Sequence, residues 1–173
     1  SLKKSIATLF DEVEHLLVCN GVFKGGFARL MLYRDGKGSY TPSSNKASYW
    51  IECSKSKSNH FEFHNRVIET VFFMEHKKPI SKLSIIKSNN ALLYVLASIY
   101  AKQKNADDAI LLNEKGYAIE STNANLFLVK EGKLYTPPLC DGPLDGTMRS
   151  LISNFFEVKK RSISIEDYED ADE

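Results

Sequence analysis

The spacing of apolar residues sets the first element. Over residues 2–19, Ile6, Leu9, Phe10, Val13, Leu16 and Leu17 recur at steps of three and four, which lines one side of a helix. Asn20-Gly21 follows, the residue types that most readily take the left-handed backbone ending a helix. Residues 27–33 (FARLMLY) predict a strand, and Asp35-Gly36-Lys37-Gly38 a turn or loop. Further strands are expected over 48–53 and 66–73, with the polar run Ser54–Asn59 as an exposed loop between them. Pro79 and its polar neighbours mark a domain boundary near 76–84. Beyond it, Asn89 to Lys104 offers Leu92, Leu93, Val95, Leu96 and Ile99 to a helix face. Four short strands then follow, at 109–112, 117–120, 124–129 and 133–136. The turns between them include Asn113-Glu114-Lys115-Gly116 and Lys130-Glu131-Gly132, with glycine where a positive φ helps. A last helix is expected over 146–156, before an acidic stretch at 166–173. The succession is α+β, with mostly antiparallel strands and two or three covering helices.

Composition narrows the partners. A net charge of +1 over 173 residues gives no electrostatic case for nucleic acid or for an anionic membrane surface. No apolar run approaches the roughly 18–20 residues of a membrane span, and SLKKSIATLF lacks the apolar core of a signal peptide. Cys19, Cys53 and Cys140 have no paired spacing, which suits a reducing cytoplasm.

Three features in the second half carry candidate chemistry. Lys87 ends the apolar stretch Leu83–Ile86; partial desolvation there would favour the neutral amine that Schiff-base formation needs. Taken alone it reads more readily as an exposed strand-end lysine, since lysines are mostly exposed. Glu120 ends a strand after a tight turn and adjoins Ser121-Thr122-Asn123-Ala124-Asn125. A carboxylate there could face a pyridine nitrogen and keep it protonated, or simply meet solvent. Asp141 to Arg149 is a glycine-containing loop running into a helix, whose free amides and dipole would suit a phosphate or merely cap the helix.

Taken jointly, these segments resemble a family. Lys87-Ser88-Asn89-Asn90, Ala109 to Tyr117, Glu120 to Phe127, Tyr135-Thr136-Pro137-Pro138-Leu139 and Leu144-Asp145-Gly146-Thr147-Met148-Arg149 resemble the class IV aminotransferases in order and spacing. That family includes branched-chain and D-amino acid aminotransferases and aminodeoxychorismate lyase. The resemblance implies a two-domain α+β enzyme of fold-type IV, a homodimer, with pyridoxal 5'-phosphate between its domains. It implies residues 1–80 as a partial N-terminal α+β domain and 81–173 as the cofactor-binding domain, incomplete at its end. It implies Lys87 as the Schiff-base lysine that also carries the proton at the substrate carbon, and Glu120 as partner of the pyridine nitrogen. Leu144 would pack on the cofactor ring, the amides of Thr147 and Met148 would meet its phosphate, and Asn123 would lie close beside it. Ala28-Arg29-Leu30 and Tyr33 to Gly38 resemble the family's arginine-bearing strand and loop. Arg34 is then a candidate for gripping a small-molecule substrate's carboxylate with two hydrogen bonds.

The chain departs from the family in lacking its opening segment, with a phosphate-binding arginine, and its closing strand and turn; the expectation is a fragment. Met148 stands where aminotransferases commonly have threonine and where the lyase branch has methionine, which leans toward aminodeoxychorismate and folate biosynthesis. Leu92 stands where branched-chain relatives carry tyrosine. Two rivals remain open. His60, Glu62, His64 and His76 could suggest a metal, but His60 to His64 alternates as a strand does, so no metal is expected. A non-catalytic α+β binding module is the other.

Overall fold

The first helix forms over Ile6–Cys19 (α1), with the Ser5 hydroxyl accepting the Thr8 amide at 3.1 Å as its N-cap. It ends at Asn20, and Gly21 follows at φ 64°, as the sequence predicts. The computed structural model describes residues 4–60 and 66–173, so the start of the expected helix at 2–3 lies outside the described residues. Gly26–Arg34 (β1) and Ala47–Lys55 (β2) pair antiparallel from Gly26↔Lys55 to Arg34↔Ala47, and α1 packs on them. Leu9, Val13, Leu16 and Leu17 are half-buried there, while Ile6 and Phe10 stay exposed. A Cβ on Gly26 would come within 2.7 Å of the Val22 side chain, so this close approach requires glycine.

Contacts divide the chain into two units, Ser1–Asn65 and Arg66–Glu173. The expected boundary near 80 thus moves upstream, because Thr70–Lys78 (β3) pairs in parallel with Asp108–Asn113 (β4). β4 also pairs antiparallel with Ala118–Ser121 (β5), giving the order β3-β4-β5. The third strand was expected over 66–73. It starts later because 66–69 are exposed and unpaired in the sheet, and runs on through the polar Glu75-His76-Lys77-Lys78.

β4 is buried along its whole length, since both faces of its sheet are covered. Ala109 and Leu111 meet Phe73, Ile119 and the Ala97 and Ala101 of Leu92–Gln103 (α2). Ile110 and Leu112 meet Ala118, Leu126, Leu128 and Ile163 on the opposite side. A second sheet holds Leu128–Lys130 (β6), Lys133–Thr136 (β7) and Val158–Lys160 (β8) in that order. The expected strand at 124–129 is shorter than predicted, because Asn125 makes only an isolated bridge to Glu120. A 3-10 turn at Leu139–Asp141 leads to Thr147–Phe155 (α3), and Ile165–Glu169 (α4) closes the described chain with a Ser164/Asp167 capping box.

Candidate active site around Glu120

Glu120 is charged, sits at a strand end, and is only 1% exposed. Burial of a carboxylate is tolerated only where its oxygens are partnered. Oε1 accepts from the Lys78 ammonium at 2.5 Å and from the Tyr94 hydroxyl at 2.7 Å; Oε2 accepts from the Leu144 amide at 2.7 Å. Two elements, β3 and α2, and one loop therefore converge on a single carboxylate at the end of β5.

The register explains the convergence. Glu120 pairs with Leu111 and Lys78 with Asn113, and Leu111 and Asn113 share one face of β4 by the two-residue alternation of a strand. That face carries α2, which supplies Tyr94. Burial first, and the neighbouring Glu120 carboxylate next, push the Tyr94 phenol well above the ordinary tyrosine range. It therefore stays a hydrogen-bond donor.

The loop after β7 completes the site. Asn125 donates to the Leu144 carbonyl at 2.8 Å, and a Cβ on Gly146 would come within 2.0 Å of the Asn125 Oδ1. Only glycine allows the loop to approach so closely before turning into α3. The amides of Thr147 and Met148 precede the first bond of that helix, from Ser150 to the Gly146 carbonyl at 3.0 Å. Behind them, the buried Arg149 donates to the Pro137 carbonyl at 2.9 Å. The Asp145 amide reaches the Ile85 carbonyl at 3.0 Å, which fastens this loop to the segment carrying Lys87.

The structure thus brings Glu120, Leu144 and the α3 start into one contiguous network. Lys87 is exposed on irregular backbone after Ile86, so the expected partial desolvation is not found; the segment from Ser81 forms turns rather than a strand that would bury it. Asn123 is exposed, donates to Thr122 Oγ1 at 2.9 Å, and lines a shallow groove of about 340 Å³ with Tyr94. Arg34 ends β1 in the first unit, exposed opposite Ala47. Of the rival metal residues, Glu62 and His64 lie outside the described residues, and His76 packs its ring 6.0 Å from that of Phe73. Sequence reasoning missed Lys78 and Tyr94. For Tyr94 a signal existed, because Tyr94, Ala97 and Ala101 share one helix face.

These residues fit pyridoxal phosphate at both of its polar ends. A carboxylate has about four acceptor positions, and Glu120 uses three. The glycine-tight turn into α3 leaves its first amides for an anion.

The fold is that of the fold-type IV aminotransferases. A candidate 4-amino-4-deoxychorismate lyase from Legionella pneumophila matches 99% of the chain with a TM-score of 0.87 at 21% identity, over 64% of its own length. The chain belongs to the class IV aminotransferase family, whose model matches residues 1–173. Class IV aminotransferases are pyridoxal-phosphate enzymes. A candidate branched-chain-amino-acid aminotransferase from Methanocaldococcus jannaschii is 34% identical over 112 residues, 61% of this chain and 39% of that protein. An aminodeoxychorismate lyase from Vibrio harveyi is 36% identical over 82 residues, 47% of this chain and 30% of that protein. The chain thus spans about a third of the length of these relatives. Among the described residues, no helix is long and apolar enough to cross a membrane.

Proposed function

We propose that the protein carrying this chain is a pyridoxal-phosphate enzyme acting on amino groups, with Lys87 as its Schiff-base lysine and Glu120 as the pyridine partner. The buried Glu120 carboxylate, with three of its roughly four acceptor positions filled and tied to the α3 start through Leu144 and Asn125, is the observation that carries this reading. The bound cofactor would supply an electron sink beside the substrate amine. Glu120 would hold the proton on the pyridine nitrogen. The Thr147 and Met148 amides would hold the phosphate, Leu144 would lie against the ring, and Asn123 would border it. Lys87 would take and return the proton at the substrate carbon. Arg34 would take the substrate carboxylate.

Within this class we favour elimination of pyruvate from an aminodeoxychorismate-like substrate. Met148 at the α3 start and the Vibrio and Legionella relatives' names support it. Transamination of branched-chain or D-amino acids is the alternative, supported by the Methanocaldococcus relative. A homodimer in the cytoplasm completes the reading; the three free cysteines suit that compartment.

The test is the absorbance of full-length protein with added pyridoxal phosphate, beside Lys87→Ala. A band near the visible edge that vanishes in the variant is expected. A band equal in both excludes Lys87, and no band in either leaves a binding module. Pyruvate release without an amino acceptor then separates the lyase from the transaminase.

A further inference from the structure

Lys78 lies in a polar run, and no part of the family resemblance assigns it a role. It is nonetheless only 6% exposed, while Met74 to Lys77 are exposed. The cause is a break in register. Phe73 pairs with Leu111 and Lys78 with Asn113, so the four residues 74–77 span a single residue of β4. In an unbroken strand, positions 73 and 78 would face opposite sides; the irregularity returns Lys78 to the face that Phe73 shares with α2.

A lysine ammonium has three donors and is rarely buried unless paired. Lys78 gives one to Glu120 Oε1 at 2.5 Å and another to the Ser84 carbonyl at 2.9 Å, with Nζ 5.5 Å from the centre of the Tyr94 ring. Ser84 stands three residues before Lys87. One cation therefore ties a buried carboxylate to the segment that carries the exposed lysine.

We propose that Lys78 is a positioning residue of the cofactor site, fixing Glu120 as a charged acceptor and holding the Lys87 segment at a set span from it. This rests on the reading of Lys87 and Glu120 given above. Lys78 is not itself the Schiff-base lysine on this geometry. The pyridine nitrogen and the carbon bearing the aldehyde lie at opposite ends of the ring, and Lys78 sits on the partner of the nitrogen. Among the described residues, the titratable groups hydrogen-bonded to Glu120 are Lys78 from β3 and Tyr94 from α2; the remaining donor is the Leu144 amide.

The experiment compares full-length holoenzyme with Lys78→Met and Lys78→Arg. Two readouts are followed: the pH midpoint of the bound cofactor's visible absorbance, and the site of the adduct after borohydride reduction. Removing a cation within contact of Glu120 is expected to displace the midpoint by about one unit or more, and Lys78→Arg to bring it back toward wild type. The adduct should stay on Lys87 throughout. An unmoved midpoint in Lys78→Met, with the Lys87 adduct intact, overturns the role of Lys78 and leaves the functional reading standing. An adduct on Lys78, or none on Lys87 in wild type, overturns both. Should Lys78→Met fail to fold, Lys78→Gln keeps a donor without the charge and carries the same comparison.

Discussion

At Glu120, three donors meet one buried carboxylate, so each can be removed singly and its effect read. Tyr94→Phe deletes a neutral donor to a charged acceptor and should lower stability by about 1.5–3 kcal/mol in denaturant titration. A loss near zero would mean that the hydroxyl bonds water instead. Gly146→Ala places a methyl against Asn125 Oδ1, which Asn125 cannot escape without releasing the Leu144 carbonyl. Cofactor affinity, read by equilibrium dialysis, should fall at least about tenfold, equivalent to about 1.4 kcal/mol. Unchanged affinity would show that the loop relaxes freely. That the Glu120–Asn125 segment and the loop from Leu144 into α3 go together is legible in the sequence as a motif of fixed order, and hydrogen bonds through Leu144 join them in the fold. Lys78 was not legible, since a lysine in Glu-His-Lys-Lys reads as solvated until a register break buries it.

At the scale of elements, periodicity was a good guide wherever one face is apolar. α1, α2, β1, β2, β4 and β5 all form within a few residues of their expected spans. β3 was misplaced because the apolar pattern at 66–69 is exposed and the polar 74–78 belongs to the strand; pairing with β4 outweighs local pattern there. β8 and α4 escaped notice, being short and polar, with α4 held by its capping box and by Arg161. The Arg161 side chain, with help from the Ser164 backbone, holds the Asp167 carboxyl down to about 2. A depressed carboxylate contributes in full above its unfolded value of about 3.9 and loses that contribution as pH falls through its folded value. The melting-temperature gap between wild type and Asp167→Asn should therefore narrow between pH 4 and pH 2. A gap independent of pH would contradict the ion pair. In the sheet interior, Leu111→Ala should cost about 2–5 kcal/mol, because Leu111 is wholly enclosed between Phe73, Ile119 and α2. A cost below about 1 kcal/mol would indicate a core that collapses onto the void.

For the whole molecule, the second unit contains a sheet with both faces covered and a loop that returns to its strand ends, while Arg34 belongs to the first unit. The proposed role of Lys87 as Schiff-base lysine is tested by reducing full-length holoenzyme with borohydride and mapping the modified peptide. A single phosphopyridoxyl adduct on Lys87, absent from Lys87→Ala, is expected. An adduct on any other lysine, Lys78 included, would contradict it.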